Sequence, residues 1–428
     1  MTIYDAIVIG GGPAGAASAL FLAERGHRVA LLDQARFPRD KVCGEFISPA
    51  ADPILQRLGI LAQIESASPV RLRGVAVSSY ETVGIAVDYP DHPGLASPVT
   101  SLSFPRRGFD HLLIQRARER GIEVMEGFKV TDFIFDNNLI AGVRGRDEAN
   151  ASFDFRSRMV IDAGGRNAIA VRRLGLKRPA AGGMKVAFAA HWEGAAFAEP
   201  YCYMHISPPG YTGTALVARG LANVVLVVDR PPAASGNGMD EFYRCAVLGN
   251  RLRREMLDGA QPAERVRTVE SLAFTVDPPA VGGLVLVGDA TGFIDPFTGE
   301  GIYLSLRSAE LAAGVIDEAL RSGDVSRSAL ARYDRLRRSE FRHKFILSKI
   351  LQKLIYTPSL SNRVIGVLSR HPRLAELLVG VIGDYVPADR VVCWGFLGKL
   401  LAVALSGRRN ESHSPVMREG IRFLARNG

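Results

Sequence analysis

A glycine-rich turn near the start of the chain constrains the fold more than any other feature. The stretch YDAIVIGGGPAGAASALFLAERGHRVALLDQ reads as a buried strand, a turn, a helix and a second strand. Gly10, Gly12 and Gly15 fit GxGxxG, in which the glycines permit a tight turn, close approach of a pyrophosphate and close helix–strand packing. Asp33 ends the second strand, about 20 residues after the last glycine, where an acid binds ribose hydroxyls. The pattern predicts a dinucleotide site.

The start of the predicted helix supplies further parts of that site. Pro13 and Ala14 lie at the helix N-terminus, where unpaired N–H groups and the positive end of the helix dipole attract a phosphate. Gln34 follows the ribose-binding acid and is also predicted to contact the cofactor. An ordinary glycine-rich turn would leave the position of Asp33 unexplained.

Composition limits the classes to which the chain can belong. Hydrophobic residues make up 47% and charged residues 23% of the 428 residues, which is typical of a globular protein with more than one domain. The four cysteines lie far apart, which argues against a zinc site and a disulfide framework and suits a reducing cytoplasm. The sequence MTIYDAIVIGGG lacks a basic region and a cleavage site, which argues against a secretory signal. We therefore expect a cytoplasmic protein with no metal site.

A second glycine-containing motif lies in VLVGDATGFIDPFTGEGIYLSLRSAELAAGVI. It resembles the second FAD signature of the p-hydroxybenzoate hydroxylase-like flavoproteins. This resemblance implies that Asp289 accepts hydrogen bonds from the ribityl hydroxyls. The helix that starts near Gly301 would direct its N–H groups at the pyrimidine edge of the flavin. The cofactor contacts predicted from this motif are Gly288, Asp289, Pro296, Gly299, Glu300, Gly301 and Ile302.

Two shorter motifs lie between these signatures. MVIDAGGRNAIAVRRLGL resembles the third motif of the same flavoproteins, through Asp162, Gly164 and Arg172. FPRRGFDHLL resembles their Arg-x-x-Phe-Asp helix start, with Arg106 as the predicted cofactor contact and Arg107 as the alternative. Because all the motifs occur in the family's order, the resemblance implies bound FAD.

The loop FPRDKVCGEFISP resembles the corresponding loop of the geranylgeranyl reductase family, which carries a Cys-Gly pair there. Flavin-dependent halogenases have a similar Gly-Glu stretch without the cysteine. The resemblance places Cys43, Gly44 and Glu45 near the isoalloxazine ring, with Cys43 and Glu45 as candidate catalytic residues and Lys41 as a further cofactor contact. Cys43 then has two interpretations, a contact to substrate and flavin or a packed loop cysteine.

The stretch Tyr203–Pro208 departs from both families. The reductases carry Tyr-x-Trp-x-Phe-Pro and the halogenases Trp-x-Trp-x-Ile-Pro, whereas here His205 and Ser207 replace the Trp and the residue before Pro. This difference argues against isoprenoid specificity and more strongly against a halogenase. His205 is interpreted either as an acid or base in the substrate cavity, together with Tyr203, or as a strand histidine that points to solvent.

Residues 70–103 and 179–267 alternate apolar and polar positions as strands do, which predicts one antiparallel sheet over the flavin. The predicted fold is α/β and p-hydroxybenzoate hydroxylase-like: a Rossmann-type FAD-binding domain, an antiparallel β-sheet substrate domain and a helical C-terminal region. Along the chain, the FAD-binding domain takes residues 1–70, 104–178 and 268–322, the substrate domain 71–103 and 179–267, and the C-terminal region 323–428.

The C-terminal region combines basic and apolar residues. SRSALARYDRLRRSEFRHKFILSKILQKLIY has helical spacing of Leu330, Tyr333, Phe341 and Phe345 among many Arg and Lys residues. One interpretation is contact with an anionic membrane at its inner face. The other is that these helices cap the substrate domain and line an apolar tunnel. The apolar run 391–405 is too short and too charged to span a bilayer.

These observations predict an FAD-dependent oxidoreductase that resembles geranylgeranyl reductases and reduces C=C bonds of an apolar isoprenoid, lipid-like or polyketide substrate. The alternative is a single-component monooxygenase or halogenase that acts on an aromatic or polyketide substrate through a flavin peroxide. A flavoprotein that only binds a hydrophobic partner is a third alternative. No second glycine fingerprint follows, so NAD(P)H or another reductant would visit transiently. The net charge of +9 comes without a nucleic-acid-binding motif, so no nucleic-acid partner is expected.

Overall fold

The structure of the protein is a computed structural model that describes residues 3–80, 83–179, 185–229, 237–270, 273–293 and 296–392. The apolar run 391–405 and the polar tail therefore lie largely outside the described residues. The strands, in chain order, are β1 (Ile3–Ile9), β2 (Val29–Asp33), β3 (Phe46–Ile47), β4 (Val70–Leu72), β5 (Gly74–Ser79), β6 (Val83–Asp88), β7 (Ser101–Ser103), β8 (Glu123–Glu126), β9 (Lys129–Asp136), β10 (Leu139–Arg146), β11 (Ser152–Asp162), β12 (Lys177–Pro179), β13 (Lys185–Glu193), β14 (Tyr201–Ser207), β15 (Gly210–Ala218), β16 (Leu221–Asp229), β17 (Gln261–Pro262), β18 (Arg267–Val269), β19 (Phe274–Val276), β20 (Leu284–Leu286) and β21 (Gly292–Phe293).

The helices lie between and after these strands. They are α1 (Pro13–Glu24), α2 (Asp52–Leu58), α3 (Leu61–Ser66), α4 (Arg106–Glu119), α5 (Ile169–Arg173), α6 (Asn237–Leu248), α7 (Arg251–Met256), α8 (Gly301–Ser322), α9 (Arg327–Ile355), α10 (Pro358–Leu368), α11 (Pro372–Ile382) and α12 (Asp389–Val392).

The first sheet carries the nucleotide-binding half of the fold. Its order is β8-β2-β1-β11-β10-β9, with β20 paired to β11. The strands β8, β2, β1, β11 and β20 run parallel, whereas β9 and β10 are antiparallel. Helices α1, α4 and α8 share one hydrophobic core with this sheet. Ala16, Ala17 and Ala19 of α1 are fully buried, which explains why small residues fill this helix.

The second sheet forms a roof over the first. Its order is β17-β13-β16-β15-β14-β5-β6, with β18 paired to β13. Most pairs are antiparallel, as the sequence predicts, but β14 pairs with β5 in parallel, with Tyr203 opposite Ala76. The strand β4, which lies in the same predicted sheet, instead joins β7 and β3 in a separate small sheet.

Two helices interrupt a stretch that the sequence predicts as strands. Helices α6 and α7 lie within the segment 179–267, and Tyr243 and Val247 are buried on one face of α6. Tyr243 accepts a hydrogen bond of 3.0 Å from the indole of Trp192 in β13. Tyr243 and Val247 are four residues apart, which places both on one face of a helix. The helical repeat of 3.6 residues, and not the alternation typical of a strand, therefore describes this segment.

The C-terminal helices close one side of the roof. Helix α9 packs along α8, and α10 and α11 pack against β5 and β6. Gly323 ends α8 in the left-handed conformation (φ 78°), and Ser326 caps the start of α9 through its side chain. This tight turn makes α8 and α9 neighbours and brings α9 to the space between the two sheets.

Candidate functional site

The turns that follow four parallel strands meet at one edge of the first sheet. Ile9 pairs with Leu32 on one side and with Asp162 on the other, and Asp162 pairs with Leu286. Parallel strands in register end at the same edge, so the motifs that follow them surround one crevice. A cavity of about 550 Å³ lies there, between this edge, the roof and α9.

Most of the predicted cofactor contacts lie on the wall of this cavity, and so does Glu45. The predicted contacts on the wall are Gly10, Gly12, Pro13, Ala14, Asp33, Gln34, Lys41, Cys43, Gly44, Arg106, Gly164, Gly288, Asp289, Gly299, Glu300, Gly301 and Ile302. The side chain of Pro296 lies outside the described residues.

The glycines of the first motif have different tasks. Gly10 has φ 98°, a backbone conformation that favours glycine. A Cβ on Gly15 would lie 1.8 Å from the carbonyl oxygen of Gly10, so Gly15 permits close packing of α1 on the turn and is not on the cavity wall. A Cβ on Gly12 would meet only Arg39, at 3.6 Å, and would otherwise point into open space. Gly12 therefore leaves room for a ligand at the start of α1.

Asp33 and Asp162 both hold backbone N–H groups. The carboxylate of Asp33 accepts hydrogen bonds from the N–H of Gly11 (2.7 Å) and of Ala35 (2.8 Å), and it lies on the wall. The carboxylate of Asp162 is fully buried and accepts from the N–H of Gly164 and of Ala170. Burial raises the pKa of Asp162 to about 6. Asp162 does not line the cavity and shapes the turn that carries Gly164, so its contact with the cofactor stays a prediction.

Arg106, and not Arg107, lies on the cavity wall. Its guanidinium makes two hydrogen bonds, of 3.0 and 2.9 Å, with the buried carboxylate of Asp110. Arg107 is exposed and lies 3.7 Å from Asp40. The fixed guanidinium of Arg106 thus presents positive charge beside the loop that contains Cys43.

Asp289 is an acid in a basic surrounding. Burial raises its pKa, against the opposing charges of Lys41, Arg106 and Arg166. Burial and the neighbouring arginines in turn lower the pKa of Lys41. Among the described residues no hydrogen-bond donor reaches the Asp289 carboxylate, so this acceptor is available to a ligand with hydroxyl groups.

The loop that carries Cys43 is tied to the roof through Glu45. The Glu45 carboxylate is buried and accepts hydrogen bonds from the N–H of Arg106 (2.8 Å), from His191 Nε2 (2.8 Å) and from Asn223 Nδ2 (3.0 Å). Asn223 also donates to the carbonyl oxygen of Cys43 at 2.8 Å. These contacts hold Glu45 in the left-handed backbone region, with φ 56°, which non-glycine residues seldom adopt.

The far side of His191 completes a ring of polar contacts. Its Nδ1 lies 2.8 Å from Glu264, which accepts a hydrogen bond of 2.6 Å from Arg267. Arg267 lies 3.3 Å from Asp40, at the start of the same loop. The loop is therefore held at both ends by the roof. Sequence reasoning missed His191, Asn223 and Glu264, because nothing in their local sequence distinguishes them from ordinary strand and loop residues.

The position of Cys43 is compatible with both interpretations, a packed loop cysteine and a contact to substrate and flavin. Its side chain packs at the edge of the first core, and its Sγ accepts a hydrogen bond of 3.3 Å from the N–H of Glu45. It also lies on the cavity wall. A contact between Cys43 and substrate stays a prediction.

We expect His191 to make the stability of the protein depend on pH. The hydrogen bond to Glu45, and then the charges of Glu45 and Glu264, raise the pKa of His191 from 6.5 to about 9. Because the folded pKa is raised, this contribution is fully present below pH 6.5 and is lost as the pH rises through 9. After allowance for the partial exposure of the side chain, it amounts to something on the order of 2 kcal/mol.

Denaturant unfolding of the wild type and of His191→Gln between pH 6 and 10 measures this effect. The wild type should lose its advantage over the variant as the pH passes 9. His371→Gln, at the start of α11 and away from the cavity, is the control and should follow the wild type. A constant difference between wild type and His191→Gln across the range would contradict the charged state assigned to His191.

The structure contradicts both interpretations of His205. Its side chain is buried, so it does not point to solvent, and it is not on the cavity wall. Its Nδ1 lies 2.6 Å from Ser78 Oγ, and burial, followed by the charge of Arg253, lowers its pKa to about 3. Tyr203 points to the same side and donates to the carbonyl of Glu199. Because side chains alternate along β14, Met204 faces the cavity instead.

Helix α9 lines the cavity with one face. Arg337, Phe341, Phe345 and Ser348 are on the wall, and Ile382 at the end of α11 joins them. This confirms that the C-terminal helices line the apolar part of the site. Contact of α9 with a membrane surface stays a prediction. Among the described residues, no helix combines the length and the apolar character that crossing a bilayer requires.

Comparison with models of protein families matches residues 3–344 to the FAD binding domain family. The chain belongs to this FAD-binding family. It is an FAD-dependent enzyme of the p-hydroxybenzoate hydroxylase-like fold, as the motifs predict.

The proteins similar to this chain include both reductases and halogenases. The menaquinone reductase of Mycolicibacterium smegmatis is 28% identical over 399 residues, which cover 90% of this chain and 92% of the reductase. The 1H-pyrrole-2-carbonyl-(peptidyl-carrier protein) chlorinase of Pseudomonas fluorescens is 27% identical over 389 residues, 83% of this chain and 85% of the chlorinase. A solved structure from Thermoplasma acidophilum, described as geranylgeranyl bacteriochlorophyll reductase-like, shares the fold with a TM-score of 0.72 and 24% identity, over 99% of this chain and 100% of that chain.

The residues on the cavity wall fit FAD. The open space at Gly12 and the N-terminus of α1 suit a pyrophosphate, and Asp33 and Asp289 offer carboxylates to hydroxyl groups. A Cβ on Gly44 or on Gly301 would meet nothing within 4 Å, so the backbone there is open to a flat ring. The sequence-predicted cofactor site is thus assembled in one place by the fold.

Proposed function

We propose that this FAD-dependent enzyme is a reductase that adds hydrogen to C=C bonds of an apolar isoprenoid, lipid-like or polyketide substrate. One observation carries this proposal: the cofactor half of the cavity continues into a half with an apolar wall. Such a wall favours a hydrocarbon and excludes water from it. The wall consists of Val75, Val77, Met204, Tyr211, Ala215, Val225, Val227, Phe297, Phe341, Phe345 and Ile382.

FAD, when bound, supplies the hydride for such a reduction. The chain itself must bind the alkene against the ring, keep water out and provide a proton for the second carbon. We propose that NAD(P)H or another reductant reaches the site transiently.

Glu300 is the acid that best suits this proton transfer. It lies on the cavity wall immediately before α8, and burial raises its pKa well above its ordinary range. Its Oε1 lies 3.7 Å from the ammonium of Lys344, which makes a closer contact with Asp384. The single ammonium of Lys344 balances the charge of only one of the two buried carboxyl groups, so the other keeps its proton. Because Glu300 lies farther from the ammonium than Asp384 does, we assign that proton to Glu300. Glu45, in contrast, accepts three hydrogen bonds as a carboxylate.

Glu300→Gln is therefore expected to slow substrate reduction by about 10²–10⁴-fold, the usual contribution of a general acid. FAD content and melting temperature should change little, because glutamine has the shape and charge of a protonated glutamic acid. Turnover with an alkenyl lipid, measured anaerobically beside FAD content, tests this. Glu310→Gln, about three turns further along α8, is the control. Normal turnover in Glu300→Gln would assign the proton transfer to another group.

The second candidate function is a single-component monooxygenase or halogenase, which the similarity to the chlorinase supports. The two candidates differ in their need for oxygen. A reductase should be reoxidised by an alkenyl lipid without oxygen and not by the matching saturated lipid, whereas the alternative requires oxygen. Flavin absorbance under strictly anaerobic conditions distinguishes them.

A further inference from the structure

Within the part of the chain that the structure describes, Arg337 is a cation without a partner on the cavity wall. Among the described residues, no carboxylate pairs with its guanidinium, and its Nε is buried with no hydrogen-bond acceptor. Arg327 and Arg332 on the same helix have carboxylate partners, Asp334 and Glu318. Leaving a buried charged donor without an acceptor destabilises a protein more than leaving a buried neutral donor without one. An acceptor brought by a ligand would remove this cost.

The part of the cavity near Arg337 changes from polar to apolar along α9. Ser305 and Ser308 of α8 line the same cavity. From Arg337, Phe341 and Phe345 follow at intervals of four on the same face of α9. Helical rise places Phe345 about 12 Å from Arg337 along the axis. The arrangement fits an amphiphile with a polar head at Arg337 and a chain along the phenylalanines.

The charged residues around Arg337 indicate whether the head group of such a ligand is anionic, neutral or cationic. The acidic residues one turn away on α9 are Asp334 and Glu340, and each is paired with another arginine, Arg327 and Arg307. Arg335 and Arg338 are exposed and add positive charge. A neutral or cationic head group would leave the guanidinium unpaired, whereas an anionic one would pair with it.

We propose that Arg337 binds the anionic head group, a phosphate or a carboxylate, of an amphiphilic substrate whose hydrocarbon chain lies along Phe341 and Phe345. This inference rests on the proposed function in that it names the class of its substrate. Arg337 is then a specificity residue and takes no part in hydrogen transfer.

Binding of three twelve-carbon probes to the FAD-containing protein tests the inference: dodecyl phosphate, dodecanoate and uncharged dodecanol, each titrated by calorimetry. The wild type should bind at least one anion about ten-fold or more tightly than dodecanol, the value of one charge-assisted hydrogen bond. Comparison of the two anions distinguishes phosphate from carboxylate. Arg337→Met should remove the preference without changing dodecanol binding, and Arg337→Lys should keep part of it.

Arg338→Met, the neighbouring exposed position, is the control and should retain the preference. The inference is overturned if the wild type binds all three probes equally, if Arg337→Met keeps the preference, or if Arg337→Met loses FAD, since the guanidinium would then serve the cofactor. Because binding is measured without turnover, a protein that shows the preference but reduces no alkene would refute the proposed function alone.

Discussion

Replacement of Gly12 by valine is expected to leave the protein folded but without FAD. Gly12 has φ −74° and ψ −176°, an extended conformation that valine adopts readily. A Cβ there meets only Arg39, at 3.6 Å, so the fold has room for the side chain. The same side chain would occupy the space at the N-terminus of α1 where a pyrophosphate binds. Several charge-assisted hydrogen bonds of about 1.5–3 kcal/mol each would be lost together, which weakens FAD binding by roughly 100-fold or more.

The flavin absorbance of purified protein, relative to protein concentration, measures this loss. Gly314→Val on α8 is the control, because a Cβ there meets nothing within 4 Å and Gly314 is not on the cavity wall. Gly15→Val would not serve, since its Cβ would collide with the Gly10 carbonyl and damage the fold itself. A folded Gly12→Val protein with stoichiometric FAD would contradict the assignment of this turn.

Lys344→Met is expected to cost about 3–5 kcal/mol of unfolding free energy, the range for breaking a buried ion pair. Lys344 is buried on α9 between Glu300 and Asp384, and it also donates to the carbonyl of Val381. Removing the ammonium leaves two buried carboxyl groups without a cation. The loss of the lysine hydrogen bond to Val381 adds a smaller penalty.

The pH dependence of the Lys344→Met variant identifies the cause of its instability. Burial raises the pKa of Glu300 and of Asp384 above their unfolded values, and loss of Lys344 raises both further. Such groups favour the fold when protonated, so the variant should be least impaired at low pH and more impaired as the pH rises. Lys349→Met, at an exposed position of the same helix, should cost little at any pH. Equal effects of the two substitutions would show that the cluster does not stabilise the fold.

The cofactor half of the site could be predicted because each motif is local. Asp33 ends a strand, and Gly10, Gly164 and Asp289 each follow one within a few residues. Parallel strands in register bring those ends together. The same reasoning could not find His191 and Asn223. They are directly opposite in the pairing of β13 with β16, and only that register places both on Glu45.

The errors of the sequence interpretation also have physical causes. His205 and Met204 are neighbours in β14, so their side chains point to opposite faces of the sheet. An error of one residue in deciding which side chains face the cavity therefore assigns His205 to the cavity in place of Met204. Lys344 lies in a helix rich in basic residues, where its sequence neighbours do not show that it is the buried one. Its partners Glu300 and Asp384 are far away in the sequence, and only the packing of α9 against the cofactor loop and the end of α11 brings them next to Lys344.

The most direct test of the central claim is the mass of the product formed without oxygen. The FAD-containing protein, reduced anaerobically and incubated with geranylgeranyl phosphate, should yield a lipid heavier by two hydrogen atoms or a multiple of two, with halide ions absent. Mass spectrometry of the extracted lipid reads this out. A lipid that stays unchanged until oxygen is admitted, and then gains oxygen or a halogen, would contradict the account.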